Sequence, residues 1–267
     1  MHTRVYDNGH SFRKLGVDAA GLPGARWVTL PQHFKEAGWT TLGGGKTFHP
    51  DFPADWDEPR SWSPDMPYYG FSYYTNPLNA TYPGPCPGPG APIARPGVGS
   101  PLPSDTWCAL DEPLDHFYDH GLANNTIARL RHAAGRLKAE ERPFFVMSGF
   151  ARPHAPWRIP QRFWDMYRTE DIPLPKHRLP PTNMPGIAWF PLNFYNSSNG
   201  RVFPLTITSP LDLWAQRHMR HAYYAAVSFL DFEVGRVLDE LDSLAVADQT
   251  AVVFHGDHSG LLRSGPS

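Results

Sequence analysis

Three pairs of polar side chains follow short apolar segments, and their types suit the binding of anions and metal ions. The pairs are Lys46 with His49, Arg152 with His154, and Asp257 with His258. A lysine ammonium and imidazole rings can hold the peripheral oxygens of a tetrahedral anion and stabilise charge on a leaving oxygen. Adjacent Asp and His side chains supply oxygen and nitrogen ligands for a divalent cation, which could polarise the same anion.

Each of these residues also has a purely structural interpretation. Lys46 follows three glycines and could be a solvated turn lysine, because Gly-Gly-Gly-Lys lacks the longer Gly-x-x-x-x-Gly-Lys-Ser/Thr pattern of a phosphate-binding loop. His49 precedes a proline and could cap a turn, and His154 could be the rigid-loop histidine of a proline-rich segment. The pair Asp257 and His258 could be a solvated surface turn after a strand.

The elements that would position these residues alternate between strands and helices. Apolar runs predict strands at residues 39–42, 144–149 and 250–254, the second of them suited to a buried parallel strand. Helical spacing predicts helices at residues 31–38, about 119–139 and about 212–244. This alternation predicts an α/β fold with a mainly parallel sheet flanked by helices. Because parallel strands end at one edge of a sheet, Lys46, His49, His154, Asp257 and His258 are expected to converge.

Length and composition fit one large domain, or a piece of one, with long irregular segments. The 267 residues are 41% hydrophobic and 13% aromatic, which supports a substantial core. Thirty prolines and 23 glycines concentrate in irregular stretches at about 50–112 and 171–211. The net charge of -2 offers no basic excess to attract nucleic acid, and the apolar stretches are too short to span a bilayer.

Features of a secretory protein are present, although residues 1–20 contain no apolar segment typical of a signal peptide. Three Asn-x-Ser/Thr sequons predict glycosylation at Asn79, Asn124 and Asn196. The only cysteines, Cys86 and Cys108, lie in a Pro/Gly-rich segment. A disulfide that staples this loop is favoured over a catalytic pair, and the alternative is two free thiols in a reducing compartment.

Six segments, in order along almost the whole chain, resemble the type I sulfatases, most closely the iduronate-2-sulfatase branch. Gly45-Lys46-Thr47-Phe48-His49-Pro50 and Arg152-Pro153-His154-Ala155-Pro156-Trp157-Arg158 are the most specific. The other four segments are residues 30–38, Pro143-Phe144-Phe145, residues 223–231 and Gly256-Asp257-His258.

The resemblance implies an alkaline-phosphatase-like fold, one calcium ion per site and hydrolysis of a sulfate ester on a glycosaminoglycan-type sugar. It assigns Lys46, His49 and His154 to the sulfate site, with Lys46 and His154 contacting the substrate. It assigns Asp257 and His258 to calcium, and it places Cys86 and Cys108 in an inserted disulfide loop. It also implies a lysosomal or secreted glycoprotein whose partner is a sulfated saccharide. The oligomeric state is not predicted.

The chain departs from the family pattern at its most important motif. The family nucleophile lies in Cys-x-Pro-x-Arg, and neither this motif nor the Asp-Asp calcium pair before it occurs in the sequence. Cys86-Pro87-Gly88-Pro89-Gly90 does not fit it, and Ser259 replaces a glycine that usually follows Asp-His. The whole chain, residues 1–267, is therefore interpreted as the central part of a sulfatase catalytic domain, an incomplete fold with an insertion at about 50–112. On this interpretation the fragment is expected to lack the C-terminal subdomain and to be inactive alone. The alternatives are an alkaline-phosphatase-like phosphoesterase and a non-catalytic, truncated protein that binds sulfated sugars.

Overall fold

The structure, a computed structural model, describes residues 28–48, 54–71, 107–174, 176, 181–185, 197–198, 201–202 and 212–256. The chain divides into two compact units. The first unit comprises Met1–Tyr82, Asp115–Ala151 and Glu233–Ala251, and the second comprises Pro83–Leu114, Arg152–Phe232 and Val252–Ser267.

Helices and parallel strands alternate along the described residues. The helices are α1 (Leu30–Glu36), α2 (Tyr118–Glu140), α3 (Gln161–Trp164) and α4 (Leu213–Ser243). The strands are β1 (Thr40–Gly45), β2 (Trp107–Leu110), β3 (Phe144–Gly149), β4 (Trp157–Pro160), β5 (Ser197–Ser198) and β6 (Arg201–Val202). Short 3₁₀ turns lie at Ala54–Asp57, Leu114–His116, Thr169–Asp171 and Ala247–Gln249. The predicted α/β class is confirmed.

The first unit is built around the parallel pair β1 and β3. Thr40 pairs with Phe144, and the register runs to Gly45 opposite Gly149. On the other edge of β1, Tyr69 makes a parallel bridge to Gly44, so β1 is paired on both sides and every residue in it is buried. β3 is half-buried along its length, whereas its sequence predicts a buried strand. Among the described residues β1 is its only strand partner, which leaves the other edge of β3 without sheet pairing.

Helix α2 directly precedes β3 and packs against both β1 and β3. Its buried side includes Leu122, Leu130 and Ala134, and the last two join Leu241 and Val246 in an apolar core. The predicted helix at about 119–139 is thus confirmed almost to the residue. The shorter α1 begins where the Thr29 hydroxyl accepts a hydrogen bond from the Gln32 amide at 3.1 Å, a typical N-cap.

The second unit contains the parallel pair β2 and β4, which was not predicted from the sequence. Trp107 pairs with Trp157 and Leu110 with Pro160, and both Trp107 and Ile159 are fully buried. These strands are short and carry prolines and tryptophans, so they lack the β-branched runs by which strands are usually recognised. The two-residue strands β5 and β6 form an antiparallel pair inside the proline-rich stretch predicted to be irregular.

Helix α4 begins after Asp212, whose carboxylate accepts a hydrogen bond from the Ala215 amide at 2.7 Å. It agrees with the helix predicted at about 212–244. The prediction of a strand at residues 250–254 is wrong, because residues 250–256 pair with no described strand. Val252, Val253 and Phe254 are instead exposed. An extended apolar segment becomes a strand only where a neighbouring strand supplies hydrogen-bond partners, and the described residues provide none there.

Candidate active site

The turn that carries Lys46 follows the carboxyl end of β1 in the first unit. The Lys46 amide donates a hydrogen bond to the Gly149 carbonyl at 2.5 Å, and the Thr47 hydroxyl donates to the Gly44 carbonyl at 2.9 Å. The Gly45 amide donates to the Tyr69 carbonyl at 2.8 Å. Parallel pairing of β1 and β3 therefore places Lys46 at the sheet edge where ligands bind in α/β proteins.

Two glycines allow the strands to meet this closely at the Lys46 turn. Gly45 has a φ of +77°, in the left-handed region that suits glycine. A side-chain carbon on Gly149 would lie 2.1 Å from the Thr47 nitrogen and 2.2 Å from the Lys46 carbonyl carbon. Both of those atoms belong to the backbone and cannot rotate away. Gly45 has a packing role as well as a conformational one, because a side-chain carbon on it would lie 2.2 Å from the Gly149 carbonyl oxygen.

A buried aromatic group supports the turn from the segment 56–69. The Tyr68 hydroxyl donates a hydrogen bond to the Gly45 carbonyl at 2.7 Å. Its ring stacks on Trp56 with centroids 5.0 Å apart and lies 5.3 Å from that of Trp62. Burial raises the pKa of Tyr68 well above its ordinary value, and burial together with the Asp119 carboxylate raises the pKa of Tyr69 to about 12. Both phenols therefore stay protonated at neutral pH.

The carboxyl end of β3 is fixed by a second residue that sequence reasoning missed. The Ala151 amide donates a hydrogen bond to an Asp119 carboxylate oxygen at 2.7 Å, and Asp119 is buried in the first turn of α2. The available signal was its position, since acidic residues at a helix N-terminus interact favourably with the helix dipole. Nothing in the sequence indicated that it would bond the chain after β3. Tyr68 had no sequence signal beyond its place in an aromatic-rich segment.

His154 lies in the second unit, in a loop fixed by its neighbours before β4. The Arg152 guanidinium donates hydrogen bonds to the His154 carbonyl at 2.9 Å and to the Arg158 carbonyl at 3.5 Å. The Trp157 indole N–H donates to the Pro153 carbonyl at 2.7 Å, and its ring packs edge-on against Tyr223. The loop backbone is therefore held by side chains from its own segment.

The ring of His154 is oriented by a hydrogen bond between its Nδ1 and the Ala155 carbonyl. A carbonyl only accepts, so Nδ1 carries the proton in the neutral ring. Nε2 of the neutral ring then has the lone pair, which can take up a proton and later return it. This tautomer suits a residue that contacts an anion or protonates a leaving oxygen.

The comparisons with known proteins decide the family. The sulfatase family profile matches residues 3–266. The chain belongs to the sulfatase family. With this assignment the predicted alkaline-phosphatase-like fold is also confirmed, and the parallel strands and flanking helices agree with it.

Several curated sulfatases are similar to this chain over nearly its whole length. Human iduronate 2-sulfatase is 31% identical over 265 residues, which cover 97% of this chain and 44% of that protein. Choline-sulfatase of Rhizobium meliloti is 25% identical over 280 residues, covering 97% and 45%. A shorter match, to the multifunctional alkaline phosphatase superfamily protein PehA of Trinickia caryophylli, is 29% identical over 132 residues and covers 45% of this chain and 24% of that protein. The chain spans less than half the length of the curated relatives it matches.

Only some of the predicted sulfatase site residues fall within the described ranges. Lys46 belongs to the first unit and His154 to the second, so their convergence on one anion stays a prediction. Six further predicted site and modification residues lie outside the described residues: His49, Cys86, Asn79, Asn196, Asp257 and His258. Their roles also remain predictions.

The described residues contain no metal centre and no membrane helix. Within those ranges, no group of three or more His, Cys, Asp or Glu side chains is arranged to hold a metal ion. None of the helices there combines the length and hydropathy of a bilayer-spanning segment. The predicted calcium ligands lie elsewhere, so this part of the chain offers no donor set that fits a calcium ion.

Two predicted covalent modifications fall partly on described residues. Cys108, in β2, is disulfide-bonded, which agrees with an oxidising compartment. Asn124 lies in the middle of α2, and its side-chain oxygen accepts a hydrogen bond from Arg236. Thr126, the threonine of the same Asn-x-Thr sequon, is buried, and its hydroxyl donates a hydrogen bond to the Leu122 carbonyl at 2.9 Å. The folded helix therefore disfavours modification at Asn124, and glycosylation there remains a prediction.

Proposed function

We propose that this chain is the central part of the catalytic domain of a sulfuric ester hydrolase that removes sulfate from a glycosaminoglycan-type sugar. The observation that carries the proposal is its similarity to human iduronate 2-sulfatase over 97% of its length, at 31% identity. The position of Lys46 at the carboxyl end of β1 supports it, because that edge is the ligand-binding edge of an α/β sheet.

In this proposal the Lys46 ammonium binds a peripheral sulfate oxygen and stabilises negative charge that develops in the transition state. His49 contacts the same group. His154 holds one proton at Nδ1 through the Ala155 carbonyl, so its Nε2 takes a second proton from solvent before the reaction and donates it to the sugar oxygen as the ester bond to sulfur breaks. Arg152 keeps the His154 backbone in place while this proton moves.

Calcium is the proposed cofactor, with Asp257 and His258 among its ligands. A bound calcium ion would neutralise charge on the sulfate oxygens. Two side chains supply only about two of the six or more ligands that calcium prefers, so the proposed affinity of this chain is about millimolar or weaker. Calorimetric titration with calcium measures it, and a micromolar dissociation constant would contradict the proposal.

We also propose that the 267-residue chain does not turn over sulfate esters alone. The covalent step needs a nucleophile, and the sequence contains no Cys-x-Pro-x-Arg motif. Assays with 4-nitrophenyl sulfate test this directly. Hydrolysis by the purified chain that is lost in His154→Ala would show that the covalent step has another source within these residues.

A binding experiment tests whether Lys46 and His154 form a sulfate site. A sulfated disaccharide titrated into the chain is expected to shift the NMR signals of Lys46 and His154, whereas the unsulfated disaccharide is not. Lys46→Met and His154→Gln should each weaken binding, since each removes one polar contact with the sulfate. Lys138→Met and His33→Gln are matched controls, because Lys138 is exposed on α2 and His33 is exposed on α1. Equal loss in the control variants would overturn the assignment.

A phosphoesterase is the second candidate, because the chain is also similar over 132 residues to PehA, a protein described as a multifunctional member of the alkaline phosphatase superfamily. Both reactions transfer a tetrahedral group from an ester oxygen, so the same cationic side chains serve either one. Competition by inorganic sulfate and inorganic phosphate against the disaccharide distinguishes them. Tighter competition by phosphate would favour the phosphoesterase, and the sulfated-sugar-binding alternative predicts disaccharide binding with no turnover in any longer form of the protein.

For the location of the protein we propose the lysosome or the secretory route. The disulfide at Cys108 supports this, because such bonds persist in oxidising compartments. Glycosylation at Asn79 or Asn196 would agree with it, and enzymatic deglycosylation of the protein from a eukaryotic host measures it. Absence of any mass change would contradict the glycoprotein assignment.

A further inference from the structure

The peptide group that joins Gly45 to Lys46 is held at both of its polar atoms. Its N–H, which belongs to Lys46, donates to the Gly149 carbonyl at 2.5 Å. Its carbonyl oxygen, which belongs to Gly45, accepts from the Tyr68 hydroxyl at 2.7 Å. Because the peptide is planar, these two contacts fix the plane from opposite sides, and that plane sets the direction in which the chain leaves β1.

Without both contacts this peptide has another accessible orientation. Gly45 has a φ of +77° and carries no side chain, so it tolerates backbone angles on both sides of the Ramachandran map. Rotation of the peptide about its flanking bonds would exchange the directions of the carbonyl and the N–H. Pairing with β3 opposes this rotation through the N–H alone, and the Tyr68 hydroxyl opposes it through the carbonyl.

Tyr68 is itself well suited to act as a fixed donor. Its side chain is buried, its ring stacks on Trp56 at an interplanar angle of 15°, and its amide donates to the Glu58 carboxylate at 2.7 Å. Burial raises the pKa of its phenol, so the hydroxyl keeps its proton throughout the neutral range. The phenol therefore arrives at the Gly45 carbonyl from a rigid support and always as a donor.

We propose that Tyr68 is a positioning residue that locks the Gly45–Lys46 peptide and thereby directs Lys46 toward the bound sulfate. The second half of this inference rests on the proposed function, which places Lys46 against sulfate. The lock itself depends only on the contacts within the first unit.

Amide hydrogen exchange on the full 267-residue chain tests the lock. In Tyr68→Phe the Lys46 amide should exchange about tenfold faster, near the effect of losing one net hydrogen bond. The Thr40 amide is the internal reference, because it donates to the Pro143 carbonyl at 2.8 Å at the other end of the same strand pair. Its rate should stay within twofold of the wild type. The Lys46 amide nitrogen resonance should also move, as expected for a rotated peptide.

Tyr69→Phe is the matched control, since it removes a phenol hydroxyl from the adjacent residue, whose pairing with β1 runs through its backbone. It should leave the Lys46 exchange rate unchanged. An unchanged Lys46 rate in Tyr68→Phe, equal acceleration of Thr40, or the same acceleration in Tyr69→Phe would each overturn the proposal.

Two further measurements keep the result decisive. If Tyr68→Phe does not fold, the wild-type chain should still show a slowly exchanging Tyr68 hydroxyl proton close to the Lys46 amide, and its absence would overturn the lock. Inorganic sulfate is then titrated into the wild type and Tyr68→Phe. Failure of sulfate to affect Lys46 in the wild type would count against the proposed function, whereas the exchange rates alone decide the role of Tyr68.

Discussion

The two described regions that carry candidate catalytic residues are held in different ways. The Lys46 turn in the first unit is fixed mainly by backbone pairing, with β3 on one side of β1 and Tyr69 on the other. The His154 loop in the second unit is fixed by side chains that donate to backbone carbonyls, from Arg152 and Trp157. Backbone pairing tolerates many side-chain substitutions but not a side chain that enters the space between the strands. A loop that is held by a side chain, in contrast, loosens when that hydrogen-bond donor is removed.

The 164–169 segment of the second unit follows the same pattern as the His154 loop. The His221 Nε2 bonds the Trp164 carbonyl at 2.9 Å, and its Nδ1 bonds the Thr169 hydroxyl at 2.7 Å. Since the carbonyl requires a donor, Nε2 carries the proton and Nδ1 accepts. His221 titrates near neutral pH, so the 164–169 segment should respond to pH there, whereas the Tyr68 phenol that bonds the Lys46 turn keeps its proton because burial raises its pKa.

The largest expected effect comes from filling the space between the strands at the Lys46 turn. Gly149→Ala would place a methyl group about 2 Å from the backbone of Lys46 and Thr47, and we expect a loss of about 3 kcal/mol of stability. Gly135→Ala is the control, because nothing lies within 4 Å of the added carbon and α2 should gain about 0.5 to 1 kcal/mol. Urea unfolding measures both, and a Gly149→Ala variant as stable as the wild type would refute the close approach.

A smaller effect is expected from removing one tether of the His154 loop. Trp157→Phe deletes the indole N–H that bonds the Pro153 carbonyl, and we expect a loss of about 1 to 2 kcal/mol. The His154 ring signals should broaden or move in the NMR spectrum, while the Lys46 amide should not change. Tyr223→Phe keeps a ring against Trp157 and serves as the control. Equal disturbance of Lys46 and His154 would show that the two regions are not held independently.

The pH dependence of stability should reflect His221. Burial lowers the pKa of His221 below its ordinary value of 6.5, although the hydrogen bond to the Trp164 carbonyl opposes the shift. The unfolded chain then binds more protons than the folded chain at pH values just below 6.5, so stability falls as the pH falls through that range. The melting temperature at pH 5.5 should lie below that at pH 7.5.

The variant His221→Gln should lose part of this difference in melting temperature. In contrast, His33→Gln should keep it, because His33 is exposed on α1. The groups that face His221 include Trp164, Tyr167, Thr169, His218, Asp165 and Glu170, and two of these are carboxylates that favour the charged ring. An identical pH dependence in wild type and His221→Gln would assign the effect to other residues.

The smallest effect is expected from an exposed ion pair in the first unit. Arg131 donates two hydrogen bonds of 2.8 Å to Glu240, but its side chain is 63% exposed. Exposed pairs contribute little because water screens them and their side chains lose freedom. Arg131→Ala should therefore leave the melting temperature unchanged within measurement error, which makes it a baseline for the other variants. A drop as large as that of Trp157→Phe would contradict this ranking.

Local sequence signals predicted the parts of the fold that depend on local spacing. The apolar positions of α2 and α4 recur every three or four residues, and both helices were placed correctly. The run Phe144–Gly149 was placed correctly as a strand. Strand β1 was predicted to end at Leu42 but continues to Gly45, because close packing against Gly149 requires glycine where propensity alone predicts a turn.

Features that depend on distant partners were beyond sequence reasoning. Residues 250–254 have strand composition, but the described residues give them no partner, whereas β2 and β4 have poor strand composition and pair with each other. In the candidate site, the types of Lys46 and His154 pointed to anion chemistry. The residues that hold their surroundings, Tyr68 and Asp119, were missed because the bonds they make link segments far apart in the sequence.

The pairing of Thr40 with Phe144 has a consequence for the order of folding. The two strands are roughly a hundred residues apart, and closing so long a loop costs chain entropy before any contact rewards it. The backbone hydrogen bonds within helix α2 are local and can form within microseconds, so we expect the helix to precede the strands. The Gly149 carbonyl reaches the Lys46 amide only once the strands have paired, which makes the Lys46 turn one of the last parts of the first unit to become native.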